Sequence, residues 1–593
     1  MRHLALSLAL GILLTPVAIG APPLDHLVPI DTVEFALAPD LAKLEAGFHA
    51  TQFGRLWKEP ALQPFRSDAT TEMLGWLEIP GRLGFKWHDL LSVLAGECGT
   101  ASYPISEYRL GRVALFDSTG REDAVKARLA AAADKARASG GSVREMTIGG
   151  QQVTVYDMPS VKGTRMPIAV FRKDNVLAAV TPPDAVEKLM PTWNVDPSKT
   201  LAGKKAYQVV RSRTTMRAGE PTHFQWFVEP LGTYTVTKKP PVPSAKKKPR
   251  KEGGELLTSE GFAAMKGIGG SFAFAAGEAD FLVRMTVYAP EPNKYFGSFK
   301  MLAFLGAEAL LPPAWVPGNI SKVLLVRMNV RQVFDAFGSL FDEMAADGEK
   351  GTFEEVLTAI KKKPGVDIRG EIVDQMTGDI VALTDFQTPF TPKSDRGLAA
   401  LTLKNPAITA DALKRSMQTD PLVTKKSLYG NENWETKSVP KPPKPGEKPP
   451  PPLPDGAMCV AQGRFNVATN TGLMDKVLKP QDVKPLVEQP DYQRIAAAWD
   501  RYGGKIAALR MFSRFSDDVR VTYEMWKSNQ LEKAEGIYSR LLTKWAKNGA
   551  MPLDGRKLPD YSHIGKYFGP VGIQGTPYAD GWDVVGFALT PNK

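Results

Sequence analysis

Two hydrophobic spacings alternate along this chain. Short runs in which apolar and polar residues alternate are typical of strands, whereas apolar residues three or four positions apart are typical of helices that cover a sheet. Residues 33–37 and 323–328 each read as such a strand, and each precedes such a helix. Several strands return by hairpins, for example at Gly149-Gly150 and Gly430-Asn431. The pattern predicts an α+β fold with a mainly antiparallel sheet and helices packed on one face.

The second half of the chain repeats the plan of the first. Residues 111–119 (GRVALFDST) return as residues 397–405 (GLAALTLKN). Both copies then reach a Gly-Gly pair, Gly269-Gly270 and Gly503-Gly504, before their closing strands. Such self-similarity indicates related structural units. We therefore predict two similar α+β halves.

Composition sets the boundaries of these halves. The prediction is a signal peptide at 1–20, a first half at 21–314, a second half at 315–545 and a C-terminal extension at 546–593. The Lys/Pro-rich residues 231–256 and the Pro-rich residues 440–455 are predicted to be loop insertions, one in each half.

Two local predictions concern the second copy. Its closing strands are expected at residues 506–512 and 519–526, where apolar residues alternate with polar ones. A helix is expected to begin after Asn329, and its apolar face is expected to form part of the core. That face carries Val330, Val333, Phe334, Phe337, Phe341 and Met344.

The N-terminus predicts export to the periplasm or the cell exterior. Arg2 and His3 precede an apolar run at residues 4–14, and small residues lie before Ala21. The run is too short for a bilayer core of about 30 Å, and no later segment reads as a membrane span. Only two cysteines, Cys98 and Cys459, are present, so no disulfide framework is predicted. Whether the two pair is left open, with two buried free thiols favoured.

The formal charge of +11 resides mostly in the proline-rich tracts. Residues 237–251 contain seven basic residues and no acid, and the rest of the mature chain is close to neutral. This tract is interpreted as a solvated loop or as a site for polyanions. It lacks the interleaved aromatic residues that stack on bases, which argues against nucleic acid. The basic residues are Lys238, Lys239, Lys246, Lys247, Lys248, Arg250 and Lys251.

No catalytic motif is found in the chain. Nucleophile-elbow, HExxH, P-loop, EF-hand and paired CxxC patterns are all missing from the sequence. The five histidines beyond residue 20 lie far apart in sequence, so neither a metal site nor a cofactor is predicted. These histidines are His26, His49, His88, His223 and His563.

Acidic residues are the remaining candidates for chemistry. Glu97 and Asp379 each follow glycine at matching points of the two copies, after an apolar helix. A carboxylate there is a candidate for acid–base catalysis or for binding a cation. We favour hydrogen bonding to backbone N–H groups at a helix-to-strand turn, because neither acid has a partner acid in view. The adjacent pairs Glu354-Glu355 and Asp517-Asp518 are interpreted as exposed faces or turns.

Several segments resemble an uncharacterised domain family of large secreted bacterial proteins. The segments are FGRLWKEPALQPF (53–65), LAGE (94–97), EGFAAMKGIGGSFAFAAGE (260–278), PAWVP (313–317), TDFQTPFTPKSDR (384–396) and DGWDVVGFAL (580–589). The resemblance covers nearly the whole mature chain. It implies export and duplication, and it supplies no activity, cofactor or site residue.

The leading functional hypothesis is a non-catalytic binding or scaffolding protein of the cell envelope. Its partner would be an anionic envelope polymer or another envelope protein. One alternative is a secreted hydrolase whose acids meet in the cleft between the halves. The other is a polyanion-binding protein that uses residues 237–251.

Overall fold

A computed structural model describes residues 20–65, 83, 87–158, 166–237, 253–292, 295–308, 310–345, 350–391, 394–436, 456–479, 483–533 and 554–591. These residues form two compact units. The first comprises residues up to 42 together with 77–204, and the second comprises 43–76 together with 205–593. The predicted boundary between residues 314 and 315 lies within the second unit. The two predicted halves therefore do not coincide with the compact units, and the predicted repeat stays a prediction.

The strands of the first unit are β1 (Glu34–Ala38), β2 (Cys98–Ser106), β3 (Arg109–Asp117), β4 (Ser142–Ile148), β5 (Gln151–Met158), β6 (Met166–Lys173) and β7 (Val176–Thr181). They pair antiparallel in the order β1-β2-β3-β7-β6-β5-β4. The central strand β7 is buried along its whole length, as expected for a strand covered on both faces.

The strands of the second unit begin with β8 (Phe224–Val228), β9 (Gly267–Ala276), β10 (Ala279–Tyr288), β11 (Ala307–Glu308), β12 (Lys322–Arg327), β13 (Met376–Phe386), β14 (Asp395–Leu403) and β15 (Val423–Leu428). They continue with β16 (Asn431–Thr436), β17 (Gly456–Ala461), β18 (Arg464–Ala468), β19 (Ile506–Ala507), β20 (Leu509–Ser513), β21 (Val571–Tyr578) and β22 (Gly581–Leu589).

The main sheet of the second unit is antiparallel throughout its described strands. Its order is β8-β9-β10-β22-β21-β20-β12-β13-β14-β18-β17-β16-β15. The short strands β11 and β19 pair separately. The C-terminal hairpin of β21 and β22 therefore lies inside the sheet, because β22 pairs with β10 and β21 pairs with β20.

The α-helices pack on these sheets and complete the α+β fold that the hydrophobic pattern predicts. They are α1 (Leu41–Ala50), α2 (Gln52–Trp57), α3 (Trp87–Val93), α4 (Glu122–Ala138), α5 (Ala185–Leu189), α6 (Lys205–Arg213), α7 (Pro230–Thr237), α8 (Gly253–Ser259), α9 (Val330–Ala345), α10 (Thr352–Lys362), α11 (Pro406–Met417), α12 (Thr471–Leu478), α13 (Pro490–Tyr502), α14 (Phe515–Lys527) and α15 (Tyr561–Gly565). None of the helices in the described ranges is long and apolar enough to cross a bilayer.

The expected second closing strand at 519–526 is wrong, because this segment lies in helix α14. Its buried residues include Asp518, Val521, Thr522 and Met525, which are spaced three or four apart and define a helical face. The alternation of apolar residues that predicted a strand runs across this face. The strand that pairs with β20 is instead β21, some 60 residues further along the chain.

The aromatic face of α9 is also less buried than expected. Phe337 is 40% exposed and Met344 is 59% exposed, whereas Ala336 on another side of the helix is buried. Phe334, Phe337 and Phe341 pack against Phe353 of α10. The interpretation of this face as core is therefore wrong for Phe337 and Met344, because the two helices share the face and leave one edge open to solvent.

The described part of the first predicted insertion, 231–256, is partly helical. Helix α7 continues to Thr237, and α8 begins at Gly253. Residues 238–252 and the second predicted insertion, 440–455, lie outside the described residues.

Candidate functional site

A concave site in the second unit is walled by aromatic rings. It is a cavity of about 250 Å³ between the 3₁₀-helix Gly297–Leu302, the first turn of α9 and the turn that joins β21 to β22. Its walls include Tyr295, Phe304, Tyr578 and Trp582, together with Lys300 and Gln332. We call this cavity the aromatic pocket.

The rings of the aromatic pocket are fixed by packing. Phe299 makes edge-on contacts with Tyr295, at 4.6 Å between ring centroids, and with Trp582, at 5.9 Å. Such edge-to-face contacts add to the stabilisation from burial. The Tyr295 hydroxyl donates to the Ala289 carbonyl at 2.5 Å. Tyr295 and Trp582 are therefore held in the pocket wall by contacts within the protein.

Gly581 places Trp582 in the pocket wall. Its φ is +146°, and a Cβ atom at this position would lie 1.9 Å from the Val287 carbonyl oxygen of β10. Only glycine allows the turn to approach β10 so closely. The DGW segment of the sequence is thus explained by the geometry of the pocket.

A buried carboxylate joins the two elements that form the other wall. Glu260, 2% exposed, accepts hydrogen bonds from the Ser298 backbone N–H at 2.9 Å and the Ser298 hydroxyl at 2.7 Å. It also accepts from the Ser339 hydroxyl of α9 at 2.7 Å. Three donors satisfy this buried charge, so Glu260 fixes the 3₁₀-helix relative to α9.

The polar groups at the pocket differ in how far they are already paired. Burial raises the pKa of Tyr295 to about 12 and also raises the pKa of Tyr578, so both phenols stay neutral. The guanidinium of Arg213 lies 3.5 Å from the Tyr578 ring centroid and is paired with Asp583. Lys300 is exposed and has no ion-pair partner among the described residues.

Gln332 contributes an amide to the same wall. Its Nε2 donates to the Lys300 carbonyl at 3.3 Å, which orients the side chain and leaves its oxygen available as an acceptor. The aromatic pocket therefore combines the partly exposed rings of Phe304 and Tyr578 with an ammonium group and an amide, while Tyr295 and Trp582 are buried in its wall.

The two acids singled out from the sequence lie in different settings. Glu97 lies at the expected turn between α3 and β2, where its Oε2 accepts from the Leu24 backbone N–H at 3.0 Å. Asp379 lies within β13 and not at a helix-to-strand turn, so that expectation is wrong. The β12–β13 register places Asp379 opposite Arg327, whose Nε donates to it at 2.6 Å. The structure brings neither acid to the aromatic pocket.

The sequence analysis missed a network of buried acids in the second unit. Asp518, 4% exposed, accepts from the Ser513 hydroxyl at 2.6 Å and pairs with Lys322. Asp385, 6% exposed, pairs with Arg396 at 2.7 Å and with Lys476 at 2.8 Å. Asp518 is therefore not an exposed turn residue. Each of these two carboxylates has a cationic partner, which is the arrangement of a structural ion-pair network.

Asp517 belongs to the same region and accepts from the Ser321 hydroxyl at 3.1 Å. Burial raises its pKa, with smaller contributions from the negative charges of Asp518 and Asp385. The sequence gave no signal that these acids lie close together, because Asp385 and Asp517 come from segments that are distant in sequence.

Lys238, Lys239, Lys246, Lys247, Lys248, Arg250 and Lys251 lie outside the described residues, so the polyanion-binding hypothesis stays a prediction. Within the described ranges, no group of three His, Cys, Asp or Glu residues is arranged to hold a metal ion. The two cysteines are free thiols, and burial raises the pKa of Cys98 to about 12 and that of Cys459 to about 11.

Comparison with known proteins adds little to this picture. No protein-family model matches the chain, and no curated protein matches it. Among solved structures the chain is similar to crystal form III of TP0453, with 10% identity over 48% of this chain and 83% of that chain and a TM-score of 0.22. At that TM-score the likeness supports no statement about fold or function. The predicted resemblance to an uncharacterised secreted family stays a prediction.

Proposed function

We propose that the protein is an exported, non-catalytic binding protein of the cell envelope that holds its ligand in the aromatic pocket. The observation that carries this proposal is the pocket itself. Preformed concave sites with aromatic walls and a few polar groups are the usual form of ligand-binding sites. Its ring walls are fixed by packing, and Lys300 and Gln332 leave polar groups open to a ligand.

The proposed duplication is supported by strand order. The first unit has the order β1-β2-β3-β7-β6-β5-β4. The segment from β12 to β18 has the equivalent order β12-β13-β14-β18-β17-β16-β15, with strands of the same direction and sequence in the chain. A shared order of seven strands is the expected product of two related halves.

Sedimentation of the mature protein with isolated envelope polymers tests the binding proposal. We expect the Phe304→Ala, Gln332→Ala double variant to remain in the supernatant while the wild-type protein sediments. Phe296→Ala is the matched control, because Phe296 is 52% exposed and does not line the pocket. Equal sedimentation of all three proteins would contradict binding through the pocket.

Mass spectrometry of the exported protein tests the compartment. We expect an N-terminus at Ala21, as predicted from the apolar run and the small residues before the cleavage site. An intact Met1 on a cell-associated chain would contradict export.

A further inference from the structure

We propose that the group bound in the aromatic pocket is one sugar ring that carries a carboxylate, as in an acidic polysaccharide. This inference rests on the proposed binding function and specifies its ligand.

The size of the cavity limits what enters it. Its volume of about 250 Å³ is below the roughly 300–1,000 Å³ of sites for drug-sized ligands. One six-membered ring fits, whereas a bulky polycyclic ligand does not. A polymer would therefore present a single unit or its chain end.

The walls favour a ring with one apolar face and a polar edge. Aromatic rings pack well on flat apolar surfaces, and the C–H face of a sugar ring is such a surface. A wholly apolar ring would bury the open Gln332 side-chain oxygen without a donor, and an unsatisfied buried acceptor is unfavourable. Sugar hydroxyls both donate and accept, so they satisfy the oxygen that Gln332 leaves open.

The rim provides one cation for a carboxylate. Arg213 is occupied by Asp583, whereas Lys300 lines the pocket with no ion-pair partner among the described residues. A ligand carboxylate would form a charge-assisted hydrogen bond with its ammonium group. Asp580 lies in the adjoining turn, and its charge acts on Tyr295 and Tyr578. The negative charge of this acid disfavours a ligand with several closely spaced negative charges.

Calorimetric titration of the mature protein with oligogalacturonate and with its methyl ester tests the inference. The two probes share every ring and differ in charge. We expect the acid to bind at least about tenfold more tightly, a difference of about 1.4 kcal/mol. Lys300→Gln should reduce that ratio to about one. The control variant Lys266→Gln replaces an exposed lysine outside the pocket, so it should leave the affinity ratio unchanged. Added salt should lower the ratio for the wild-type protein.

The outcomes separate this inference from the proposed function. If the ester binds as tightly as the acid, or if Lys300→Gln keeps the ratio, the role of the carboxylate is refuted. If neither probe binds while envelope polymers still sediment the protein through the pocket, the sugar assignment is refuted and the binding function stands. If the pocket variant also sediments like the wild-type protein, the binding function itself is refuted.

Discussion

Arg284 is a buried cation that pairs with the carboxylate of Glu220. Its guanidinium donates two hydrogen bonds to Glu220, at 2.6 and 2.9 Å, and a third to the Tyr502 carbonyl. Burial alone would raise the pKa of Glu220, but hydrogen bonds from Arg284 and the Arg217 backbone N–H lower it. The pair therefore contributes stability that is present above about pH 4.3 and is lost as the pH falls through the lowered pKa.

Replacing Glu220 with Gln should lower the free energy of unfolding by about 3–5 kcal/mol, because it leaves the buried Arg284 charge uncompensated. Glu432→Gln is the matched control, since Glu432 pairs with Lys425 in a bridge that is nearly half exposed on both sides. We expect that control to change stability by less than about 1 kcal/mol. Denaturation with urea measures both values, and equal losses would contradict the assignment.

His223 should make the protein less stable in mild acid. Its side chain is 6% exposed, and its Nδ1 accepts from the Phe274 backbone N–H at 3.0 Å. Burial lowers its pKa, so the unfolded chain binds the proton first. Stability is then complete above about pH 6.5, the unfolded pKa, and falls as the pH drops from there towards the lowered folded pKa.

His223→Asn tests this pH dependence, because an amide oxygen can accept the same hydrogen bond without titrating. We expect the wild-type melting temperature to fall more steeply than that of the variant between pH 7 and pH 5. The other histidines contribute equally to both proteins. Parallel curves would show that His223 does not control the effect.

At the scale of elements, hydrophobic periodicity predicted most strands, but it predicted a strand where helix α14 lies. Alternation located β1 and β12 within a residue, since each has one face on a core. Alternation predicted the wrong element at α14, where the apolar residues fit the spacing of a strand as well as that of a helix. In the folded sheet β21, and not this segment, pairs with β20. Pairing between strands that are distant in sequence determines whether such a segment joins the sheet, and a local pattern does not contain that information.

The open edge of α9 and α10 predicts unequal effects of two substitutions. Met344→Gln should change the free energy of unfolding by less than about 0.5 kcal/mol, because the side chain is 59% exposed. Phe353→Ala should cost about 3–5 kcal/mol, since Phe353 is buried against three phenylalanine rings of α9. Thermal unfolding measures both, and a large loss at Met344 would restore the core interpretation.

At the scale of the molecule, the candidate site was out of reach of the sequence. Its walls come from segments near residues 300, 332 and 580, and the Glu260 contacts that fix them join three further positions. The sequence contains DGW within a segment that resembles the secreted family, but it gave no sign that Gly581 must approach β10. Only the strand order, which places β22 beside β10, brings these residues together.

Removing the C-terminal hairpin should disrupt the second unit while sparing the first. Deletion of residues 571–591 takes away the strands that pair with β10 and β20. We expect amide hydrogen exchange to lose protection in both strands, whereas β2 and β3, which pair within the first unit, keep theirs. Full protection of β10 in the truncated chain would show that the hairpin is dispensable.

The pairing of β22 with β10 also determines when the sheet can be completed during translation. Phe281 pairs with Ala588, so β10 leaves the ribosome long before its neighbour has been translated. Until then the nascent chain displays an unpaired strand edge, which is prone to join other chains. The codons for β22 therefore complete the sheet. A stop codon before them would release a chain that lacks this strand and remains a substrate for chaperones and proteases.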